Sequence, residues 1–232
     1  MKRAYKTVVA NRHDGGWGVA LDGKPMRTPG KNPLTLPSEA LAAAIAAEWD
    51  AQREEIHPAT MPLTRLAATA IDRTPPQRAL IVAETANYAD TDLVCYRADH
   101  PPALMARQHA VWQKLIDWAA RRYGAALAVT SGIVPARQPP ATLGAFAAIV
   151  AAQDEFRLTA LHNLTASCGS LVIALALFEG RLDADSAFEA SQLDETFQIE
   201  AWGEDSEAAI RRRNIAADIE AAARFIALLA AR

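Results

Sequence analysis

Between Tyr5 and Thr28 the chain alternates apolar and polar positions, with Tyr5, Thr7 and Val9 in one run and Trp17, Val19 and Leu21 in another. A period of two sets alternate side chains on one face of a strand, so this stretch predicts a small antiparallel meander. Asp14-Gly15-Gly16 and Asp22-Gly23 separate the runs. Asp22-Gly23 suits a two-residue hairpin, because both turn positions need positive φ, which Gly allows and Asp tolerates. Pro29, Pro33 and Pro37 then lead out past a short strand expected at 34–36.

After Pro37 the helical period takes over. Ser38 is placed to cap a helix through about Arg53, with Leu41, Ile45, Glu48 and Trp49 on its inner face. A second helix is expected from about Thr60, with Leu63, Leu66, Ala67, Ala70 and Ile71 inward. Thr74-Pro75-Pro76-Gln77 reads as a capping box opening a third, since proline at the first helical position needs no N–H. The connector 90–97 is apolar enough to lie on the core. Pro101 and Pro102 open a longer helix through Tyr123 that carries the stripe Trp112, Leu115, Ile116 and Ala119, and Gly124 ends it. A short extended piece is expected near 126–130, followed by helices at 143–152, 155–166, 167–179 and from Asp183 onward. A last helix at 206–230 buries Ile215, Ile219, Ala222, Ile226 and Leu229.

The helix starting at Asp183 reaches the most distinctive stretch, 193–207. Ala190, Leu193, Phe197 and Ala201 fall on one stripe, and Phe188, Ile199 and Trp202 on nearly the opposite side, so a helix clamped between two neighbours is expected. Glu189 and Glu200 share the seam. Gly203 breaks the helix before Glu204, Asp205 and Glu207, three acids suited to the first turn of the next helix, where Ser206 is a candidate cap and Arg211 a partner for Glu207. Glu200 and Trp202 lie before the break, where no capping role exists for them. They read as a partner surface.

These patterns define an α+β chain, with a small N-terminal antiparallel β domain at 1–37 and a larger α-helical domain at 38–232. With 232 residues, 51% hydrophobic and 22% charged, the chain has ample material for a core. A net charge of −3 with no basic block argues against nucleic acid; the run Arg211-Arg212-Arg213 fans around a helix. No secretory signal follows the N-terminus, and the apolar run 171–178 is too short to span a bilayer, which needs about 18 residues. Two isolated cysteines, Cys95 and Cys168, fit a reducing compartment, and the cytoplasm is the expected location.

Candidate chemistry is sparse. Gly15-Gly16-Trp17-Gly18 lacks the third glycine of a dinucleotide fingerprint, and no phosphate-cradling GxxxxGK[ST] loop occurs. Ser170 after Gly169 has Val172 where a nucleophile elbow needs glycine. The five histidines form no HxxxH or HExxH pair, so no metal, cofactor or small-molecule substrate is expected. A hydrolase built on Asp92, His162 and Cys168 requires those side chains to converge in one pocket. For Asp92 the plainer roles are a cap for the following turn or an ion pair with Arg97.

Six motifs occur in order: Gly18 to Pro25 with Thr28-Pro29; 47–52 around Glu48-Trp49-Asp50; Met61 to Ala67 including Arg65; Thr91 to Arg97; Gly169-Ser170-Leu171; and Gln198 to Asp205. Together they resemble the family of ATP synthase assembly chaperones that bind the free alpha subunit of the F(1) sector, over residues 5 to 228. The resemblance implies a non-enzymatic chaperone that holds the alpha subunit soluble until the beta subunit replaces it. It implies partner-binding residues among Glu200, Trp202, Glu204, Asp205 and Glu207, and motif residues at Trp49, Arg65, Asp92 and Arg97. An acidic adaptor with other basic partners is the competing reading.

Overall fold

The computed structural model describes residues 2–132 and 136–230. Strands β1 (Val8–His13), β2 (Gly16–Leu21) and β3 (Lys24–Pro25) form an antiparallel sheet in that order, with Val8 opposite Leu21 and His13 opposite Gly16. Asp22 and Gly23 turn the chain into β3 at φ 48° and 77°, the left-handed pair that the hairpin needs. The strand expected at 34–36 is instead a single bridge, Leu36 exchanging backbone hydrogen bonds with Trp17 at 3.0 and 2.7 Å. Gly16 permits this approach: a Cβ there would stand 2.7 Å from the Leu36 carbonyl oxygen.

Ser38 caps α1 (Glu39–Asp50) as expected, its Oγ accepting from Leu41 N at 3.1 Å and donating to the Leu228 carbonyl at 2.6 Å. Glu48 turns out from the apolar face of α1 to cap α2 (Pro62–Asp72). Its carboxylate accepts from Leu63 N and Thr64 N at 2.8 Å each and from Thr64 Oγ1 at 2.6 Å. A carboxylate suits that position because the first amides of a helix have no internal partner. The expected capping box does not form at α3 (Thr74–Asn87): the fully buried Thr74 hydroxyl meets Thr159 Oγ1 at 2.6 Å, and Gln77 N donates to the Arg73 carbonyl. A tertiary partner has taken the hydroxyl that the local motif would have used.

The described residues fall into two compact units. The first gathers 2–78, 154–160 and 224–230, so the first two helices group with the sheet; the second takes the remainder. In the first, Phe156 and Phe225 stack with ring centroids 6.3 Å apart, and Leu41, Ile45 and Leu63 are fully buried core residues.

The second unit holds most of the helices. These are α4 (Pro102–Tyr123), α5 (Pro140–Ala151), part of α6 (Glu155–Cys168), α7 (Leu171–Phe178), α8 (Ala184–Ser191), α9 (Leu193–Trp202) and most of α10 (Ser206–Ala230). Gly124 ends α4 at φ 64°, a conformation that costs a side-chain-bearing residue energy. The connector after α3 makes two 3-10 turns, Tyr88–Thr91 and Leu93–Cys95, and buries Val94 and Cys95. β4 (Tyr96–Arg97) then pairs in parallel with β5 (Thr130–Ser131), at the end of the region where an extended piece is expected.

All eight residues of α7 are buried. Its N-terminus is fixed by Asp92, whose carboxylate accepts from Ser170 Oγ at 2.5 Å, Val172 N at 3.1 Å and Val94 N at 3.2 Å. Asp92 thus caps two helical turns, the local one expected and α7 as well.

The single helix expected from Asp183 to Gly203 is two. Gln192, at φ −107° and ψ 19°, separates α8 from α9 with no glycine or proline to mark the break. Side chains intercept carbonyls there: Trp112 Nε1 donates to Ala190 O at 2.8 Å and Ser191 Oγ to Phe188 O at 2.8 Å. The expected clamp is only partial: Leu193 is the one fully buried residue of α9, Phe197 and Ile199 are half-buried, and Ala201 and Trp202 at the C-terminal end are exposed.

Candidate functional site

Along α9 the acids that drew attention in the sequence meet arginines from two other helices. Glu200 forms a two-pronged pair with Arg107 of α4, both N–O distances being 2.8 Å. This hydrogen bonding holds the Glu200 carboxyl below the usual carboxylate range. Glu204 pairs with Arg212 at 3.1 Å, and Glu195 with Arg211. Arg211 is therefore spent on Glu195, and Glu207, its expected partner, is exposed without a side-chain ion pair among the described residues. Asp205, in place of Ser206, caps α10, accepting from Glu207 N at 2.8 Å and Ala208 N at 2.9 Å.

Trp202 stands apart from this network, 82% exposed at the C-terminal end of α9. It is the most exposed of the large apolar side chains among the described residues, and covering an indole is worth roughly 2 kcal/mol or more. Gly203 follows at φ 85°, releasing the chain from the helix just past the ring. The five candidates thus divide: Glu200 and Glu204 sit in ion pairs, Asp205 caps, and Trp202 and Glu207 face solvent.

Beside Glu200 runs an open groove of about 600 Å³. Arg107, Ala110, Val111 and Lys114 from one face of α4 form one wall; Glu189, Leu193 and Thr196 form the other, with Leu182 between. Sequence reading missed Arg107, Lys114 and Arg181. For Arg107 and Lys114 the only signal is the spacing of 107, 110, 111 and 114, which places an alanine and a valine between cations on one helical face, and Arg181 carries none.

Of the four motif residues, Trp49, Asp92 and Arg97 make contacts inside the fold. Arg97 donates to Gln108 O at 2.7 Å and lies 5.3 Å from the Trp112 ring centroid, while its other terminal nitrogen is buried without a hydrogen-bond partner. Gln108 in turn donates to Asp194 at 2.8 Å, and burial raises that carboxyl. Arg97 makes no ion pair with Asp92. Trp49 meets Tyr5 at 5.8 Å, and the Tyr5 hydroxyl donates to the Trp49 carbonyl at 2.7 Å. Arg65 is exposed on α2.

No catalytic triad assembles. Burial first, then Asp92, pushes the Cys168 thiol up to about 12, leaving it protonated at neutral pH and inert as a nucleophile. His162 turns instead to Thr85, 2.9 Å away, and burial lowers its pKa. Asp92 is wholly enclosed and occupied by its three donors.

Comparison with known proteins gives the arrangement its context. The family model described as ATP12 chaperone protein matches residues 2–120. Protein atp12, mitochondrial, from Schizosaccharomyces pombe is 22% identical over 214 residues, covering 87% of this chain and 74% of that protein. The crystal structure of Atp12 from Paracoccus denitrificans is 46% identical and superposes with a TM-score of 0.94 over 98% of each chain. An aspartate-to-lysine mutant of the same protein gives the same identity and TM-score over 98% of this chain and 97% of its own. With more than half the chain under the family model and a solved relative so similar along its length, this chain belongs to the ATP12 chaperone family.

Proposed function

We propose that this protein is an assembly chaperone that binds the free alpha subunit of the ATP synthase F(1) sector and keeps it soluble until it joins the beta subunit. The observation that carries this reading is Trp202, 82% exposed at the end of a helix whose Glu195 and Glu200 are already held by arginines. An unassembled subunit exposes apolar surface built for its neighbour, and such surface self-associates. A chaperone answers with an aromatic anchor set in a polar surround, binding long enough to prevent aggregation and releasing to the final partner.

Within this proposal Trp202 is the anchor, and Glu207 supplies a free charge at its edge. Glu200 and Glu204 act through their arginines, fixing α9 so that Trp202 is presented in one orientation. The proposed place of action is the cytoplasm; among the described residues no helix is long and apolar enough to cross a membrane.

The test is capture of purified alpha subunit in solution, with its aggregation followed by light scattering. Wild-type protein should suppress scattering at equimolar ratio, Trp202→Ala should lose at least tenfold in affinity, and Glu200→Lys should weaken capture by disorganising the α4–α9 pair. A wild-type protein indifferent to the alpha subunit, or one retaining many basic proteins in a salt-sensitive way, would refute the assignment.

A further inference from the structure

Near the proposed anchor the charges are unequally spent. In the groove between α4 and the α8–α9 wall, Arg107 is committed to Glu200. Lys114 and Arg181 on its rim make no ion pair among the described residues, and both are exposed. Glu189 is the one rim acid similarly unspent, so the available charge is positive. Below the rim the lining is apolar: Val111 and Leu182 are half-buried, and Leu115, Ala190 and Leu193 close the floor.

Shape sets a second condition. The α4 wall runs from 107 to 115, which at 1.5 Å per residue is about 12 Å, or a little over two helical turns. A trench of that length with about 600 Å³ of room takes a few apolar side chains from one helical face, the pattern of an amphipathic helix laid in a groove. Cations at the rim favour a helix whose polar flanks are acidic.

We infer that this groove docks an acidic amphipathic helix of the client, seating its apolar row over Val111, Leu182 and Leu193 and its acids against Lys114 and Arg181. This rests on the chaperone reading and refines it, because it gives the client a second contact, of opposite charge preference to the free acid Glu207 proposed beside Trp202. Two contacts on one subunit multiply through effective concentration, so each can be weak alone.

The experiment titrates labelled, isolated alpha subunit into wild-type protein, the double variant Lys114→Glu/Arg181→Glu and the groove-filling variant Ala110→Trp, with circular dichroism checking the fold. These sites are exposed, so the variants should keep the wild-type fold. Each should weaken binding at least tenfold, and Lys114→Arg/Arg181→Lys should restore it. Overlapping 18-residue peptides of the alpha subunit should bind where acidic and amphipathic, and lose binding to the double variant. Wild-type binding that survives both groove variants within twofold, or that strengthens on charge reversal, overturns the groove while leaving the chaperone reading intact. Wild-type protein that ignores the alpha subunit sinks both. Self-association of the wild type that the groove variants abolish would give the groove to a second copy and likewise overturn the proposal.

Discussion

Replacing Asp92 with alanine removes the acceptor shared by Ser170 Oγ, Val172 N and Val94 N, all within a fully buried site. Each orphaned donor costs about 1–3 kcal/mol, or about 3–9 kcal/mol together. The native carboxylate has a cost of its own: burial lifts its pKa from 3.8 to about 6, so holding it ionised at neutral pH costs about 3 kcal/mol. Deleting it returns that amount and leaves an expected loss of between about 0 and 6 kcal/mol, whose midpoint of about 3 kcal/mol is a fall in Tm of about 6–12 °C for a chain of this size. Thermal and urea unfolding at pH 7 would measure it. Acidity supplies a sharper test. Because the folded pKa lies above the unfolded one, the folded state takes up the proton first; this contribution is complete below about pH 4 and lost as pH rises through about 6. The gap between wild type and Asp92→Ala should therefore widen by about 2 kcal/mol between pH 7 and pH 4.5. A gap that fails to widen on acidification refutes the argument.

Glu48→Ala should cost about 1–2 kcal/mol in urea unfolding, because Leu63 N and Thr64 N lose their acceptor at the start of α2. Gly124→Ala should lower stability by about 1 kcal/mol, since residue 124 sits at φ 64°; an unchanged urea midpoint would argue against strain there. Trp202→Ala and Glu200→Lys should leave Tm within about 2 °C of wild type by differential scanning calorimetry, the first because the ring is 82% exposed and the second because its ion pair is solvated. Trp202→Ala melting well below that would make the ring a folding residue and remove it from the proposed interface, and Glu200→Lys melting well below it would show that the Arg107 pair holds the fold and not only the presentation of Trp202.

Local signals were legible where the partner is near in sequence. Ser38 meets Leu41 N three residues on, Gly124 stops its own helix, and Asp22-Gly23 turns its own hairpin. Long-range partners were not. Arg107 and Glu200 are 93 residues apart, and nothing in either segment names the other. The break at Gln192 carries no glycine or proline because Trp112, from another helix, draws off the Ala190 carbonyl. Periodicity likewise gave α9 two apolar faces but could not say that the end of one would be left in water: Phe188 and Ile199 are half-buried, whereas Trp202 on the same face is 82% exposed. The family resemblance was readable from scattered motifs, several of which, such as Glu48 and Asp92, prove to be caps whose partners the pattern did not reveal.

Since α7 is buried on every side, hydrophobicity alone gives it no preferred roll about its axis, and only the differing sizes of its side chains, Ala174 and Ala176 against Leu171, Leu175 and Phe178, distinguish one angle from another within the apolar packing. What indexes it is polar and sits at one end, where Ser170 and the Asp92 carboxylate can be met by only one phase of the first turn. The greasiest rod in the molecule is thus clocked by its most hidden charge. Loosening that pin would let the interior stay collapsed while losing its single setting, so the surfaces carried on neighbouring helices would blur before the protein melted.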